Sequence, residues 1–147
     1  MNIAASQEHQ FVNRLKLANE RVTAPRLQIF RVLRQHSPLP MLSLRQRART
    51  NGVDTVTVYR TVSLFKRLNL VQEIGVGSYR MLELTDDFGD HHHHLWCNKC
   101  GQMLDIDDPD LEVSMEEAAK RLGIKVESHQ LEIVGVCAAC MANHPAI

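Results

Sequence analysis

An α+β fold in two parts, residues 1–84 and residues 85–147, is predicted by three observations on the sequence. Charge reverses along the chain, a run of helical repeats ends in a hairpin signal, and cysteine is confined to two short motifs in the second part. Residues 1–85 carry 13 Lys/Arg against 5 Asp/Glu, a net of +8, while residues 86–147 carry 4 against 12, a net of −8. The formal neutrality of the chain therefore hides a basic unit suited to a polyanion and an acidic one suited to cations. Six of the eight histidines and all four cysteines lie in the acidic part.

The N-terminal part reads as helices followed by a hairpin. Residues 7–18 place Phe11, Leu15 and Ala18 on one helical face. Thr23-Ala24-Pro25 reads as an N-cap with proline in the first turn, and Leu27, Phe30, Val32 and Leu33 continue that helix to about Gln35. Ser37-Pro38-Leu39-Pro40 stops it and forms a turn. Met41 to Arg49 is a further helix ending near Asn51-Gly52. Asp54 or Thr55 caps another, in which Val58, Val62, Phe65 and Leu68 repeat. Leu70–Ile74 and Ser78–Leu82 then read as two strands around Gly75-Val76-Gly77.

The last three of these helices followed by the hairpin give the order of a winged helix-turn-helix, whose last helix enters the DNA major groove while the wing touches the backbone. The polar face of that helix holds Thr55, Thr57, Tyr59, Arg60, Ser63, Lys66 and Arg67. Its hydroxyls and cations suit phosphate contacts, and Tyr59 suits a thymine methyl. Arg45, Arg47 and Arg49 add charge on the preceding helix. The competing reading is a small helical bundle with a solvated basic face.

In the second part, Cys97-Asn-Lys-Cys100 and Cys137-Ala-Ala-Cys140 are separated by 36 residues. Two such pairs complete a closed tetrahedral four-cysteine zinc site. All four cysteines falling in pairs in a chain without a signal-peptide pattern favours zinc over disulfides. Between the knuckles, Asp108 caps a helix with Pro109 at its first position, Leu111, Met115, Ala118, Ala119 and Leu122 on one face, and Gly123 at its end. Ile124–Val126 and Leu131–Val136 read as strands, and Leu95–Ile106 as a strand pair. The resulting sheet could pair with a copy of itself.

The run His91-His92-His93-His94 precedes the first knuckle. In an extended backbone His91 and His93 face one way and His92 and His94 the other, so one tract can feed two metal sites. Glu83, Asp105, Asp107, Glu112 and His129 are the candidate partners. Mixed His/carboxylate sets suit Fe(II), Mn(II), Zn(II) or Co(II).

Other classes fit poorly. The longest mostly apolar stretch, Ile133–Ala142, is about half the roughly 20 residues a membrane span needs, so a soluble, cytoplasmic protein with no membrane partner is expected. A zinc hydrolase or deaminase keeps an open zinc position, and deaminases show His-x-Glu ahead of Pro-Cys-x-x-Cys. Neither His-x-Glu nor Pro-Cys occurs, so neither an enzyme nor a small-molecule substrate is expected. A metal-storage or zinc-ribbon module leaves the basic half unexplained.

With these residues in hand, the sequence resembles the ferric uptake regulator family of metal-dependent repressors. The matching pieces are Arg21-Val-Thr-Ala-Pro-Arg26, Thr57-Val-Tyr-Arg60, the block from His91 to Gly101, Gly123-Ile-x-Val-x-x-His129 and Gly135-Val-Cys137-x-x-Cys140. They come in the family's order over about residues 14–140. The resemblance implies a winged helix, a C-terminal α/β dimerisation domain and a homodimer that binds palindromic operator DNA when loaded with metal. It implies structural Zn2+ on Cys97, Cys100, Cys137 and Cys140, and a regulatory ion, Fe2+ first with Mn2+ or Zn2+ as alternatives. That ion belongs to a hinge site of Glu83, His92, His94 and Asp105, and His91, His93, Glu112 and His129 form a second site. Tyr59 and Arg60 match residues near DNA, and Lys16 or Arg21 reaches toward the minor groove.

The chain departs from the family's pattern in two places. The family usually has a histidine just before the third helix, where this chain has Leu39-Pro40-Met41, leaving His36 as the substitute. Iron sensors more often have Glu where this chain has Asp105, whereas the peroxide-sensing branch has Asp. Zinc sensors commonly use a hinge cysteine, and no Cys precedes Cys97.

Overall fold

A computed structural model describes residues 3–76 and 79–143. The chain divides into two compact units, Met1–Asp90 and His91–Ile147, so the division falls after Asp90 rather than after Leu84. The reason is Phe88, which is buried against Phe30 with ring centroids 5.2 Å apart.

The first unit contains α1 (Ile3–Leu17), α2 (Ala24–His36), β1 (Leu39–Pro40), α3 (Met41–Thr50), α4 (Thr55–Arg67), β2 (Val71–Val76) and β3 (Tyr79–Leu84), then a 3-10 turn at Asp86–Phe88. Capping explains where the helices start. The Thr23 side chain accepts from the Arg26 N–H at 3.5 Å with Pro25 in the first turn of α2, and Asp54 accepts from the Thr57 N–H at 3.0 Å to open α4.

Left-handed residues explain where three of the helices stop. Asn19, Gly52 and Asn69 have φ of 56°, 77° and 53°. After each, the next N–H returns to a carbonyl five residues back, as in Glu20 to Leu15 and Leu70 to Phe65, both at 2.8 Å. Asparagine tolerates this conformation and glycine adopts it without a Cβ penalty.

Phe11, Phe30 and Phe65 anchor the core, with Phe11 stacked on Phe30 at 4.2 Å and set edge-on to Phe65 at 5.2 Å. Leu15, Ile29, Leu33, Leu44, Val58, Val62 and Leu70 fill the space around them. This burial fixes which face of α4 points outward.

Three expectations for this unit are corrected. Helix α1 begins at Ile3, four residues ahead of Gln7. Leu39–Pro40, read as a turn, is a short strand paired with Leu82 and Met81, giving an antiparallel sheet in the order β1-β3-β2. A buried Leu39 and a partner strand decide this, neither of which a proline-rich tetrapeptide reveals. The strands of the hairpin run to Val76 and from Tyr79, in register Val76 to Tyr79; Gly77 and Ser78 lie outside the described residues.

The second unit contains β4 (His93–Cys97), β5 (Met103–Ile106), α5 (Pro109–Arg121), β6 (Glu132–Gly135) and α6 (Ala138–Asn143). Its sheet has the order β5-β4-β6, with β4 antiparallel to β5 and parallel to β6. Asp108 accepts from the Asp110 N–H at 3.0 Å and Pro109 begins α5.

The strand expected at Ile124–Val126 is absent. Gly123, at φ 73°, donates its N–H to Lys120 and Ile124 donates to Ala119, so the first residue of the segment serves to close α5. Ile124 is 60% exposed and Leu122, expected on the packed face of the helix, is 77% exposed. Among the described residues of this unit, the buried side chains are His93, His94 and Cys97. A small unit without an apolar core needs metal or a partner to be stable.

Candidate metal centres and nucleic-acid interface

The cysteines are brought together by strand pairing. Cys97 ends β4 and sits opposite Gly135 of the parallel strand β6, which sets Cys137 beside the first knuckle. The Cys137 N–H donates to Cys97 Sγ at 3.3 Å, and the Sγ atoms of Cys100 and Cys137 are 3.8 Å apart. A tetrahedral ion with Zn–S bonds of about 2.3 Å has edges of about 3.8 Å, so the spacing fits zinc. All four sulfurs lie within 4.8 Å of one another.

Cys97 and Cys140 are held in opposite directions by their surroundings. Backbone N–H groups of Cys100 and Cys137 bring the Cys97 thiol down to about 6. Hydrogen bonding to Cys137 and Cys100, with burial added, pushes Cys140 up to about 12. A divalent cation removes this competition by stabilising every thiolate at once.

A second cluster joins His91, His93, Glu112 and His129. His93, 3% exposed, places Nε2 2.6 Å from Glu112 Oε1. His129 Nε2 lies 3.0 Å from Glu112 Oε2 and 3.0 Å from His91 Nε2. Two imidazole nitrogens that close need a proton or a shared cation between them. Burial works to raise the Glu112 carboxyl, but hydrogen bonds from His93 and His129 and the charge of His129 and His91 hold it below its usual range. The carboxylate therefore stays ionised and able to ligate a metal.

The other face of the histidine tract points elsewhere. The rings of His92 and His94 are 4.8 Å apart, and His94 pairs across the sheet with Asp105, Nδ1 to Oδ1 3.3 Å. Glu83 belongs to the first unit, on β3 opposite Gln72, whose Nε2 donates to its carboxylate at 3.4 Å; Glu83 is buried. His36 ends α2, exposed, with Nε2 3.4 Å from Arg47 Nη1.

On the first unit, α4 exposes Tyr59, Arg60, Ser63 and Lys66, while Val58, Thr61, Val62 and Phe65 are buried. Lys16 and Arg21 are also exposed. Two of the predicted DNA contacts, Thr57 and Lys66, are engaged by carboxylates. The Thr57 hydroxyl donates to Asp54 at 2.6 Å as part of the N-cap, and Lys66 forms an ion pair with Glu73 on β2. Sequence reasoning missed Glu73 as a neighbour of α4; its place on the first strand after the helix was the available signal.

The model of the ferric uptake regulator family matches residues 18–134. The chain belongs to the ferric uptake regulator family. It is 30% identical over 140 residues to the ferric uptake regulation protein of Neisseria gonorrhoeae, covering 90% of this chain and 94% of that one. Its fold superposes on the ferric uptake regulator of Vibrio cholerae with a TM-score of 0.71 and 27% identity, covering 84% of this chain and 96% of that one. A zinc-bound manganese uptake regulator gives a TM-score of 0.66 with 27% identity over 85% of this chain and 96% of that one.

Ferric uptake regulator family members are metal-dependent transcription regulators, and this chain has the winged-helix first unit and metal-ligand clusters of such a protein. No helix among the described residues is long and apolar enough to cross a membrane.

Proposed function

We propose that this protein is an iron-responsive repressor of the cytoplasm that binds operator DNA as a homodimer when its sensing site is loaded. The observation that carries the reading is the division of one histidine tract into two ligand sets by strand alternation. His91 and His93 converge on Glu112 and His129, while the rings of His92 and His94 meet each other outside that cluster, with His94 beside Asp105. Cys97, Cys100, Cys137 and Cys140 hold structural zinc, closed to substrate because all four positions are protein sulfur.

Glu83, His92, His94 and Asp105 are the proposed sensing ligands. These carboxylates and imidazoles would hold a divalent cation, whose charge would offset their mutual desolvation and the repulsion between the carboxylates. Glu83 is carried by the unit that bears α4, and the other three by the metal-binding unit, so an ion held by all four would link the two units. Such a link raises DNA affinity only to the extent that the ligands favour one arrangement over the others. His91, His93, Glu112 and His129 form an auxiliary site within one unit, and their influence on DNA is indirect.

Tyr59, Arg60 and Ser63 are the proposed contacts on the outward face of α4, with Lys16 or Arg21 reaching toward the minor groove and Lys66 on phosphate; Thr57 contributes chiefly through the helix cap. The homodimer is supported by the apolar side chains left uncovered on the second unit, among them Val113, Leu122, Ile124 and Val134 at 49–77% exposure.

Asp105 supports a second reading within the same family, peroxide sensing through bound Fe2+. The relative described as a zinc-bound manganese uptake regulator keeps Mn2+ and Zn2+ as competing regulatory ions. The test is DNA binding by the purified protein with Fe(II), Mn(II), Zn(II) or no added regulatory metal, at fixed salt because phosphate contacts make affinity salt-dependent. Fe(II) should tighten binding most, by a factor within the roughly 5–150-fold span of allosteric coupling. Equal affinity with and without every metal contradicts the proposal.

A further inference from the structure

Helix α3 lays Arg45 against Tyr59 of α4. Arg45 Nη1 donates to Tyr59 Oη at 3.5 Å, and the guanidinium carbon lies 5.7 Å from the centre of the ring. Arg45 is half-buried, and its Nε is closed off from solvent. Tyr59 itself is 45% exposed, on the same helical face as Val56, which is 57% exposed. Lys66 and Arg67, farther along α4, are held by the carboxylates of Glu73 and Glu20; Arg45 is held by an aromatic ring.

That difference has a physical consequence. A cation paired with a carboxylate must exchange one anion for another to reach a phosphate. A planar guanidinium against a phenol keeps its charge while fixing the plane and direction of the ring. A tyrosine on a helix surface otherwise has two open χ1 rotamers, and ordering it on binding costs affinity.

We propose that Arg45 is a positioning residue for sequence readout, acting through Tyr59 by presetting the ring on the outward face of α4. The inference rests on α4 being the DNA-facing helix. Its effect is on discrimination between base pairs at the place the ring touches, and general affinity for DNA is not its route. Arg45 used as a phosphate contact would instead weaken binding to all duplexes alike.

The experiment uses the full-length metal-loaded protein and the duplex it enriches from a randomised pool, together with single-base-pair variants of that duplex. Arg45→Lys, which keeps the charge, and Arg45→Met, which keeps an unbranched stem without the charge, should each lose about two- to fivefold of discrimination. The loss should fall at the base pair where Tyr59→Ala also loses it. On the Tyr59→Ala background neither change should cost anything further. The salt slope of Arg45→Lys should equal that of the wild type.

A DNA-free readout separates the positioning of the ring from its use on DNA. With fluorotyrosine at the chain's two tyrosines, the Tyr59 resonance, identified by its loss in Tyr59→Phe, should move in Arg45→Met. An unmoved resonance, a uniform loss with a reduced salt slope, or additivity with Tyr59→Ala overturns the proposal while leaving DNA binding intact. Failure of the wild-type protein to enrich any duplex overturns the DNA reading of α4, and the proposal with it.

Discussion

His93 Nε2 and Glu112 Oε1 meet at 2.6 Å, a buried imidazole from β4 on a carboxylate from the first turn of α5. The contact ties the sheet to the helix through groups of the proposed auxiliary metal site, in a unit whose described side chains form no apolar core. Replacing Glu112 by Gln should therefore remove metal from this site and lower the thermal stability of the metal-loaded protein, while changing the DNA response only a few-fold. Metal stoichiometry and melting temperature check it; full metal content with unchanged melting would count against this assignment.

The zinc assignment predicts that Cys97→Ser releases about one zinc per chain and disrupts folding or dimer formation, because structural zinc contributes to the folding free energy. Elemental analysis and sedimentation read the outcome. A folded, dimeric, zinc-free Cys97→Ser protein is incompatible with a structural site there.

Much of this was legible from residue order alone. The Cys-x-x-Cys spacing, the Thr23 and Asp108 caps and the alternation of the histidines each depend on local geometry, which neighbouring residues determine. Most of what escaped depended on distant partners. Leu39–Pro40 becomes a strand because β3 lies beside it, and Phe88 extends the first unit because Phe30 receives its ring. Ile124–Val126 has the apolar composition of a strand, but the Gly123 turn takes its backbone.

On α4 the pairing of Lys66 with Glu73 sets a direction. Glu73→Gln frees the ammonium for phosphate and should raise affinity for all duplexes alike, whereas Lys66→Ala should lower it and flatten the salt slope. Binding measured at several salt concentrations distinguishes the two, and no change in either variant would remove Lys66 from the interface.

Acid should weaken the first unit partly through Glu8. A hydrogen bond from Arg31, assisted by the charges of Arg31 and Arg34, holds its carboxyl below the usual range against the opposing effect of burial. A carboxyl depressed in the folded state contributes stability above its unfolded value of about 4.5 that is lost as pH falls through the folded value. Glu8→Gln should thus cost under about 1 kcal/mol near neutral pH. Below the folded value the cost should vanish. Urea unfolding at two pH values tests this, and a cost independent of pH would assign it to packing.

Metal sensing is assigned to the His92/His94 face of the histidine tract, and a supporting role to the His91/His93 face. Titrating DNA binding with Fe(II), without oxygen and at fixed salt, for the wild type, His94→Ala and His129→Ala tests this division most directly. His94→Ala should abolish the metal response while keeping the four-cysteine zinc and the dimer, and His129→Ala should shift it only a few-fold. Loss of the response in His129→Ala with retention in His94→Ala would contradict the assignment and reverse the two roles.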